Sequence, residues 1–259
     1  MKKLLLIEWL TYSRYRTMQV ILGLYIAFTI GVIISFDSIS IGPFELFTKE
    51  AFRFPYVWQN VGFLVKILNL YLGIAVVLMV SNEFSYNTLK QHIIDGLSRT
   101  QVVLAKSLTV FLLSLFSTLL LIVIGAFLGV TNSQVITIIA VLERTDFIVA
   151  HFMHVWGVLS MAMMMAFLVE RNGLAVILFV SYAVFGEAII RAVIDLEWVQ
   201  YFPMRNFTML NLYPYVEVIP EGFGVIPDRV DPIRILLSIA YVALFHYVAW
   251  RKVRSADLK

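Results

Sequence analysis

The chain has 259 residues, of which 61% are hydrophobic and only 14% are charged. Soluble domains average about half apolar and roughly a quarter charged residues, so this composition excludes an ordinary soluble fold and indicates a protein embedded in lipid. Cysteine is absent, which excludes disulfides and thiolate metal sites. The net charge of +3 comes from scattered basic residues, which argues against nucleic acid as a partner.

Residues 1–17 precede the first long apolar run and have an amphipathic pattern. The apolar side chains are Leu5, Leu6, Trp9 and Leu10, and the basic ones are Lys3, Arg14 and Arg16. Aromatic and basic residues suit the boundary between lipid and cytoplasm, whose anionic surface attracts the cations. We therefore expect a helix here that lies on the inner membrane surface and helps to set the topology.

Six apolar runs are long enough to cross a hydrocarbon core about 30 Å thick, which requires roughly 20 residues of helix. They occupy residues 18–36, 58–80, 108–130, 147–169, 173–190 and 235–250. Helices are expected because lipid offers no hydrogen-bond partner to an unpaired peptide group. The predicted fold is therefore an all-α polytopic membrane protein with six transmembrane helices and short amphipathic surface helices.

The distribution of charge predicts which ends of these helices face the cytoplasm. With the N-terminus inside, the inner segments hold twelve cations and five acids, and the outer segments hold seven cations and twelve acids. Cytoplasmic loops retain Lys and Arg, so this bias predicts that both termini are cytoplasmic.

The loops differ greatly in length, and no segment between the runs is long enough to bury a soluble core. We therefore expect residues 1–259 to form a single transmembrane domain. The outer loop 191–234 contains five prolines, which is typical of an ordered surface cap or a partial re-entry into the membrane. The inner loop 81–107 is the long cytoplasmic one, whereas residues 170–172 close a tight hairpin between the fourth and fifth runs.

The inner loop 81–107 has the pattern of a short helix of its own. Thr88 followed by Gln91 fits a capping box, and Gly96 is placed to end the helix in the left-handed conformation. Leu89, Ile93 and Ile94 are expected on one apolar face, and Lys90, Gln91 and Asp95 on the polar face. Such a helix either presents a lever to a soluble partner or simply settles among the lipid headgroups.

Polar residues within the apolar runs are further candidates, because a charge at membrane depth is costly and tends to mark a pathway. Lys66 lies in the second run, where it either snorkels to the outer surface or pairs with an acid. Glu187 and Arg191 are four residues apart, which allows an ion pair within one helix. His151 and His154 have a spacing that can share a metal ion, but no acidic ligand lies nearby, so we expect no metal site.

The sequence resembles the permease subunits of type-2 ATP-binding-cassette (ABC) transporters. The residues that carry this resemblance are Glu8-Trp9 and Arg14-Tyr15-Arg16-Thr17 before the first run, with Asn82-Glu83-Phe84, Thr88-Leu89-Lys90-Gln91 and Asp95-Gly96-Leu97-Ser98-Arg99 after the second. The resemblance implies that residues 1–17 are a connecting helix and that residues 81–107 contain the coupling helix that contacts the ATPase subunit. The length of the outer loop after the fifth run departs from better-known members.

Two sets of site residues follow from this resemblance. The implied ATPase-coupling residues are Glu83, Asn87, Thr88, Leu89, Lys90, Gln91, Asp95, Gly96 and Arg99. The implied connecting-helix residues are Glu8, Trp9, Arg14 and Arg16. The chain has no Gly-x-x-x-x-Gly-Lys-Ser/Thr motif, so ATP and Mg²⁺ are expected on a separate ATPase, and no cofactor is expected on this chain.

The resulting hypothesis is an ABC exporter permease of a bacterial plasma (inner) membrane that moves a lipid-like or amphipathic substrate by alternating access. Its implied partners are two ATPase subunits, a second identical or related permease and membrane lipid. An ion-coupled secondary transporter is an alternative, because Lys66 and Glu187 could relay ions. An intramembrane enzyme is another, but the sequence contains none of the nucleophile and base motifs that such chemistry uses, and no catalytic residue is expected.

Overall fold

A computed structural model of the chain describes residues 16–36, 40–41, 44–45, 49–194, 197–211 and 229–255. Within these ranges the chain is a helical bundle, and its strands are the two-residue segments Ser40–Ile41 and Phe44–Glu45, which pair antiparallel. The prediction of an all-α fold is therefore confirmed. Arg16 is the first residue of the first helix, whereas Glu8, Trp9 and Arg14 of the expected connecting helix lie outside the described residues.

Six helical segments of the described chain are long and apolar enough to cross a membrane, which confirms the predicted number. They are Arg16–Ser35, Val57–Ser85, Arg99–Asn132, Ile138–Val169, Asn172–Val193 and Pro232–Ser255, and we number them spans 1 to 6. Spans 2, 3 and 4 extend well beyond the predicted runs. Hydropathy identifies only the apolar part of a helix, so it omits the polar turns at helix ends.

Three of the spans are interrupted. In span 2, the 3₁₀ turn Lys66–Leu68 separates the α-helices Val57–Val65 and Asn69–Ser85. Span 4 consists of the α-helices Ile138–Leu142 and Asp146–Val169. In span 5, the π-helical turn Tyr182–Gly186 separates the α-helices Asn172–Ser181 and Glu187–Val193. Local 3₁₀ and π geometry inside a helix often marks a functional position. The intramembrane residue Lys66 begins one of these turns, and Glu187 directly follows another.

Span 4 forms the centre of the bundle. It packs against spans 2, 3, 5 and 6. In the most apolar stretch of span 4, 61% of the residues are buried. The corresponding share is 17% in span 5 and 22% in each of spans 1 and 6. Spans 1, 5 and 6 therefore direct most of their apolar surface outward, where lipid or another membrane chain would cover it.

The segment between spans 5 and 6 contributes a helix to the core of the bundle. It contains the 3₁₀ helix Glu197–Tyr201, followed by the α-helix Pro203–Leu210, which we call the cap helix. The cap helix packs against spans 4 and 6 and buries Met204, Phe207 and Leu210. A further 3₁₀ helix, Lys49–Phe52, precedes span 2.

Candidate functional site

The inner loop forms a short helix between spans 2 and 3, Thr88–Ile94, which we call the loop helix. It ends as the position of Gly96 predicts, with Gly96 at a φ of 97°. The amide of Gly96 donates to the carbonyl of Ile93 at 3.1 Å, and that of Leu97 donates to His92 at 3.0 Å. This pair of bonds satisfies the last carbonyls of the helix in a Schellman motif and turns the chain toward span 3.

The capping box predicted at Thr88 and Gln91 is wrong. The loop helix begins after Asn87, which is left-handed with a φ of 56° and forms no side-chain cap. A capping box forms instead at the start of span 3, where Ser98 and Gln101 each bond the backbone of the other. Both pairs fit the same sequence pattern, but only Ser98 has the extended backbone that a capping residue needs.

A buried ion pair fixes the base of the loop helix to the bundle. Lys106 of span 3 donates to the carboxylate of Glu83 in span 2, and the two side chains are only 2% and 8% exposed. Leu89 of the loop helix is buried in the core, and Phe84 packs edge-on against Phe167 of span 4 at 5.9 Å. Glu83 and Leu89 therefore hold the loop helix in place from inside the bundle.

The opposite side of the loop helix is exposed. Of the implied coupling residues, Asn87, Thr88, Gln91, Asp95 and Gly96 are exposed, and Lys90 and Arg99 are partly buried. Ile94 was predicted to share an apolar face with Leu89 and Ile93, but Leu89 is buried whereas Ile94 is 76% exposed, and Tyr86 before the helix is 73% exposed. The residue pattern did not identify these two apolar side chains as part of the exposed face.

Spans are tied together at the same end of the bundle, which we call the inner end after its predicted orientation. The guanidinium of Arg99 donates to the carbonyl of Arg254 at 2.7 Å, so the start of span 3 holds the last turn of span 6. Lys252 in that turn pairs with Glu170 at 3.1 Å, beside the hairpin between spans 4 and 5. Arg99 therefore joins the inner loop to the rest of the inner end.

At the opposite end, Lys66 binds the C-terminus of the cap helix. Its ammonium donates to the carbonyl of Asn211, the residue after the helix, at 3.2 Å and lies 4.4 Å from the ring centre of Phe63. Lys66 therefore points toward the protein interior rather than to the outer surface, and its positive charge complements the negative end of the helix dipole.

Glu187 binds the N-terminus of the same helix. Its carboxylate accepts hydrogen bonds from the backbone amides of Met204 at 2.8 Å and Arg205 at 2.6 Å, and from the hydroxyl of Tyr182 at 2.9 Å. The ion pair that the spacing of Glu187 and Arg191 allows is not formed, because the hydrogen bonds of Glu187 in the described chain are these three. A buried carboxylate at this position supplies the cap that Phe202, the residue before the helix, lacks.

A second polar cluster joins four spans in the middle of the bundle. The hydroxyl of Tyr25 in span 1 donates to Asn69 in span 2 at 3.0 Å and bonds Ser117 in span 3 at 2.7 Å. Ser117 also bonds Nε2 of His151 in span 4 at 3.1 Å. All four side chains are buried, so in lipid this cluster links span 1 to the rest of the bundle.

The two histidines of span 4 have separate partners. His151 bonds Ser117, whereas Nδ1 of His154 donates to the carbonyl of Phe207 in the cap helix at 3.0 Å. In the part of the chain that the structure describes, no group of three or more His, Asp or Glu residues is placed to hold a metal ion. The histidines are thus accounted for as contacts between helices.

Lys66 and Glu187 were predicted as functional candidates from their charge within apolar runs, but what they bind could not be predicted. Both residues bind the ends of the cap helix, which for Lys66 lies far along the chain, and hydropathy carries no signal for such contacts. Tyr25, Asn69 and Ser117 were missed altogether, because single polar residues in apolar runs are common in membrane helices.

Six membrane-crossing helices, a helix exposed at one end and a capped helix inserted at the other define a polytopic membrane subunit. A family model described as an ABC-2 family transporter protein matches residues 4–186, and the chain belongs to this family of transporter membrane proteins. It is accordingly a permease-type subunit rather than an enzyme, and the family implies partnership with an ABC ATPase. Comparison with curated proteins finds none that matches the chain.

Proposed function

We propose that this chain is the membrane-spanning subunit of an ATP-driven exporter in a bacterial plasma membrane, with both termini in the cytoplasm. In this proposal the loop helix is the coupling helix, and a separate ATPase drives transport through it. Residues 1–17 would form the connecting helix at the membrane surface, within the single domain of residues 1–259.

One observation carries this proposal: the loop helix is attached to the bundle on one side and exposed on the other. The buried pair of Glu83 and Lys106 joins the two spans that flank it, Leu89 is buried, and the apolar side chains of Ile94 and of Tyr86, just before the helix, are exposed. A helix that transmits force needs both a fixed connection to the bundle and a surface on which the partner can act. Exposed apolar residues beside polar ones are typical of the core of a protein interface.

The chemistry of the proposed cycle is divided between chains. ATP and Mg²⁺ would be bound by two copies of the ATPase, and a second permease, identical or related, would face this one. The outward-facing apolar surfaces of spans 1, 5 and 6 leave room for such a neighbour and for lipid. The substrate would cross between the two permeases by alternating access, and the apolar spans favour a lipid-like or amphipathic cargo.

The direct test is capture of the ATPase from the native membrane on the tagged, detergent-solubilised chain. We expect an ABC ATPase to copurify with the wild type and to be lost in Ile94→Asp, because a carboxylate in an apolar contact is strongly unfavourable. Val135→Asp is the matched control: Val135 is 75% exposed in the loop after span 3, at the opposite end of the bundle. This control should retain the ATPase.

Two outcomes would contradict the proposal. If no ATPase copurifies with the wild type, a self-sufficient protein such as an ion-coupled secondary transporter or an intramembrane enzyme becomes the better explanation. If the ATPase copurifies equally with Ile94→Asp, the chain has an ATPase partner but the loop helix is not where it binds.

A further inference from the structure

Three arginines lie close together where spans 5 and 6 meet the cap helix at the outer end. The backbone amide of Arg205 bonds Glu187, and Arg191 lies one helical turn after Glu187 in span 5. Asn206, the neighbour of Arg205, donates to the carbonyl of Arg234 in span 6 at 3.1 Å. The contacts of one short helix thus bring together three segments that each carry an arginine, and the charges of Arg191 and Arg234 lie near enough to Arg205 to act on it.

The described acids near these arginines are Glu187 and Asp231, and neither forms an ion pair with Arg191 or Arg205, although the charge of Glu187 attracts Arg205. Glu187 is already engaged by two backbone amides and the hydroxyl of Tyr182. Asp231 reaches only Arg234, at 3.8 Å, and its other oxygen caps the start of span 6. Among the described residues, no hydrogen bond or ion pair is formed by the side chains of Arg191 and Arg205.

Arg205 and Arg234 are partly buried in this cluster, whereas Arg191 is exposed. Atom Nη1 of Arg234 is buried and has no hydrogen-bond partner within the described chain. Burial, together with the neighbouring guanidinium groups of Arg191 and Arg234, lowers the pKa of Arg205. An anion bound among the three arginines would relieve both the mutual repulsion and the unmet hydrogen bond.

The surroundings of the cluster indicate that this anion belongs to a lipid. The guanidinium of Arg234 lies 5.6 Å from the ring centre of Tyr201, and Trp198 is 54% exposed nearby in sequence. Such aromatic side chains favour the headgroup level of a membrane. The apolar side chains exposed beside the cluster on spans 5 and 6 are Ile189, Val193, Ile233 and Leu236. These side chains lie one or two residues from Arg191 or Arg234 in sequence and offer apolar surface for acyl chains at the same end of spans 5 and 6.

We propose that Arg191, Arg205 and Arg234 form a binding site for the phosphate group of an anionic lipid at the outer face of the membrane. The planar guanidinium fork suits phosphate oxygens, which accept two parallel hydrogen bonds from one arginine. The site requires no ATPase and no second permease, so it does not depend on the proposed transport function. The family match ends at residue 186, before all three arginines.

The test is a titration of the purified full-length chain with phosphatidylglycerol, with bound lipid counted by native mass spectrometry. Replacing two charge-assisted contacts in Arg191→Gln/Arg205→Gln should weaken binding by about tenfold or more. The matched control, Arg171→Gln/Arg251→Gln, removes two exposed arginines at the inner end and should bind like the wild type. Arg191→Lys/Arg205→Lys keeps the charge but loses the guanidinium fork, so it should bind more tightly than the Gln variant and less tightly than the wild type, which separates loss of the site from misfolding.

Two further arms identify the source of the phosphate. Phosphatidylcholine, whose choline carries a compensating positive charge, should bind more weakly than phosphatidylglycerol. Inorganic phosphate at millimolar concentration should not displace phosphatidylglycerol, because it has no acyl chains to contact the apolar surface. Equal binding by the wild type and the Gln variant, or an equal loss in the inner-end control, would overturn the proposal, as would displacement by inorganic phosphate.

Discussion

Lys66 and Glu187 bind opposite ends of the same short helix, although they lie in different spans. Lys66 donates to the carbonyl of Asn211 after the cap helix, and Glu187 accepts from the amides of its first turn. Each charge has the sign that the helix dipole favours at that end. The pair therefore holds a polar helix among apolar spans and explains why two costly charges are present at this depth.

We expect Glu187→Gln to loosen the cap helix. An amide loses the negative charge and one of its acceptor oxygens, so the cap should lose about 1–3 kcal/mol, the range for hydrogen bonds to charged groups. Because the natural chain has no cysteine, Thr208→Cys introduces a single thiol into the cap helix. Its rate of labelling by a maleimide should rise in Glu187→Gln. The exposed control substitution Glu143→Gln should leave the labelling rate of Thr208→Cys unchanged. If Glu187→Gln also leaves this rate unchanged, Glu187 does not hold the cap helix in place.

The pair of Glu83 and Lys106 predicts strong coupling between two substitutions. Glu83→Gln leaves a buried ammonium without its carboxylate, and breaking a buried pair in this way typically costs about 3–5 kcal/mol. In Glu83→Gln/Lys106→Met the isolated charge is removed as well, so much of the stability should return. Thermal unfolding of the solubilised single and double variants measures this cycle. A double variant less stable than Glu83→Gln would show that the pair does not act as a unit.

The predicted orientation is open to the same thiol chemistry. Asp95→Cys lies in the inner loop, and Val135→Cys lies in the loop after span 3, at the opposite end of the bundle. If the termini are cytoplasmic, a membrane-impermeant maleimide should label Val135→Cys in intact cells and Asp95→Cys only after the membrane is opened. The reverse labelling pattern would show that the topology is inverted and that the inner loop does not face the cytoplasm.

The number of spans was predictable from the sequence because a membrane imposes a minimum apolar length on every helix that crosses it. Gly96 was predictable as a helix end for a similarly local reason, since its left-handed backbone is tolerated best by glycine. The exposure of Ile94 was not predictable, because it depends on how the loop helix lies against the bundle. The targets of Lys66 and Glu187 also depend on tertiary packing, which periodicity within a single helix cannot reveal.

The hydroxyl of Tyr25 is expected to hold span 1 against the bundle. Tyr25→Phe removes its bonds to Asn69 and Ser117, and hydrogen bonds between membrane helices are typically worth about 0.5–2 kcal/mol. Tyr71→Phe is the matched control, because the described contact of Tyr71 is an edge-on packing of its ring against Phe28 rather than a hydrogen bond. Thermal unfolding should report a loss for Tyr25→Phe alone, and equal effects would contradict this role.

Gly157 of span 4 packs closely against the ring of Phe207 in the cap helix. A Cβ at Gly157 would overlap the ring of Phe207, so Gly157→Ala should displace the cap helix from span 4 and destabilise the chain by about 1–3 kcal/mol. Gly23→Ala in span 1 is the control, because no atom lies within 4 Å of the added Cβ, and it should leave stability unchanged or raise it.

A compensating change shows whether the loss arises from this contact. Phe207→Leu shortens the side chain, so Gly157→Ala/Phe207→Leu should be more stable than Gly157→Ala alone, although Phe207→Leu by itself lowers stability by leaving a cavity. The measurement is the unfolding temperature of each solubilised variant, together with thiol labelling at Thr208→Cys. If the second change fails to restore either quantity, the glycine is needed for a reason other than room for the ring of Phe207.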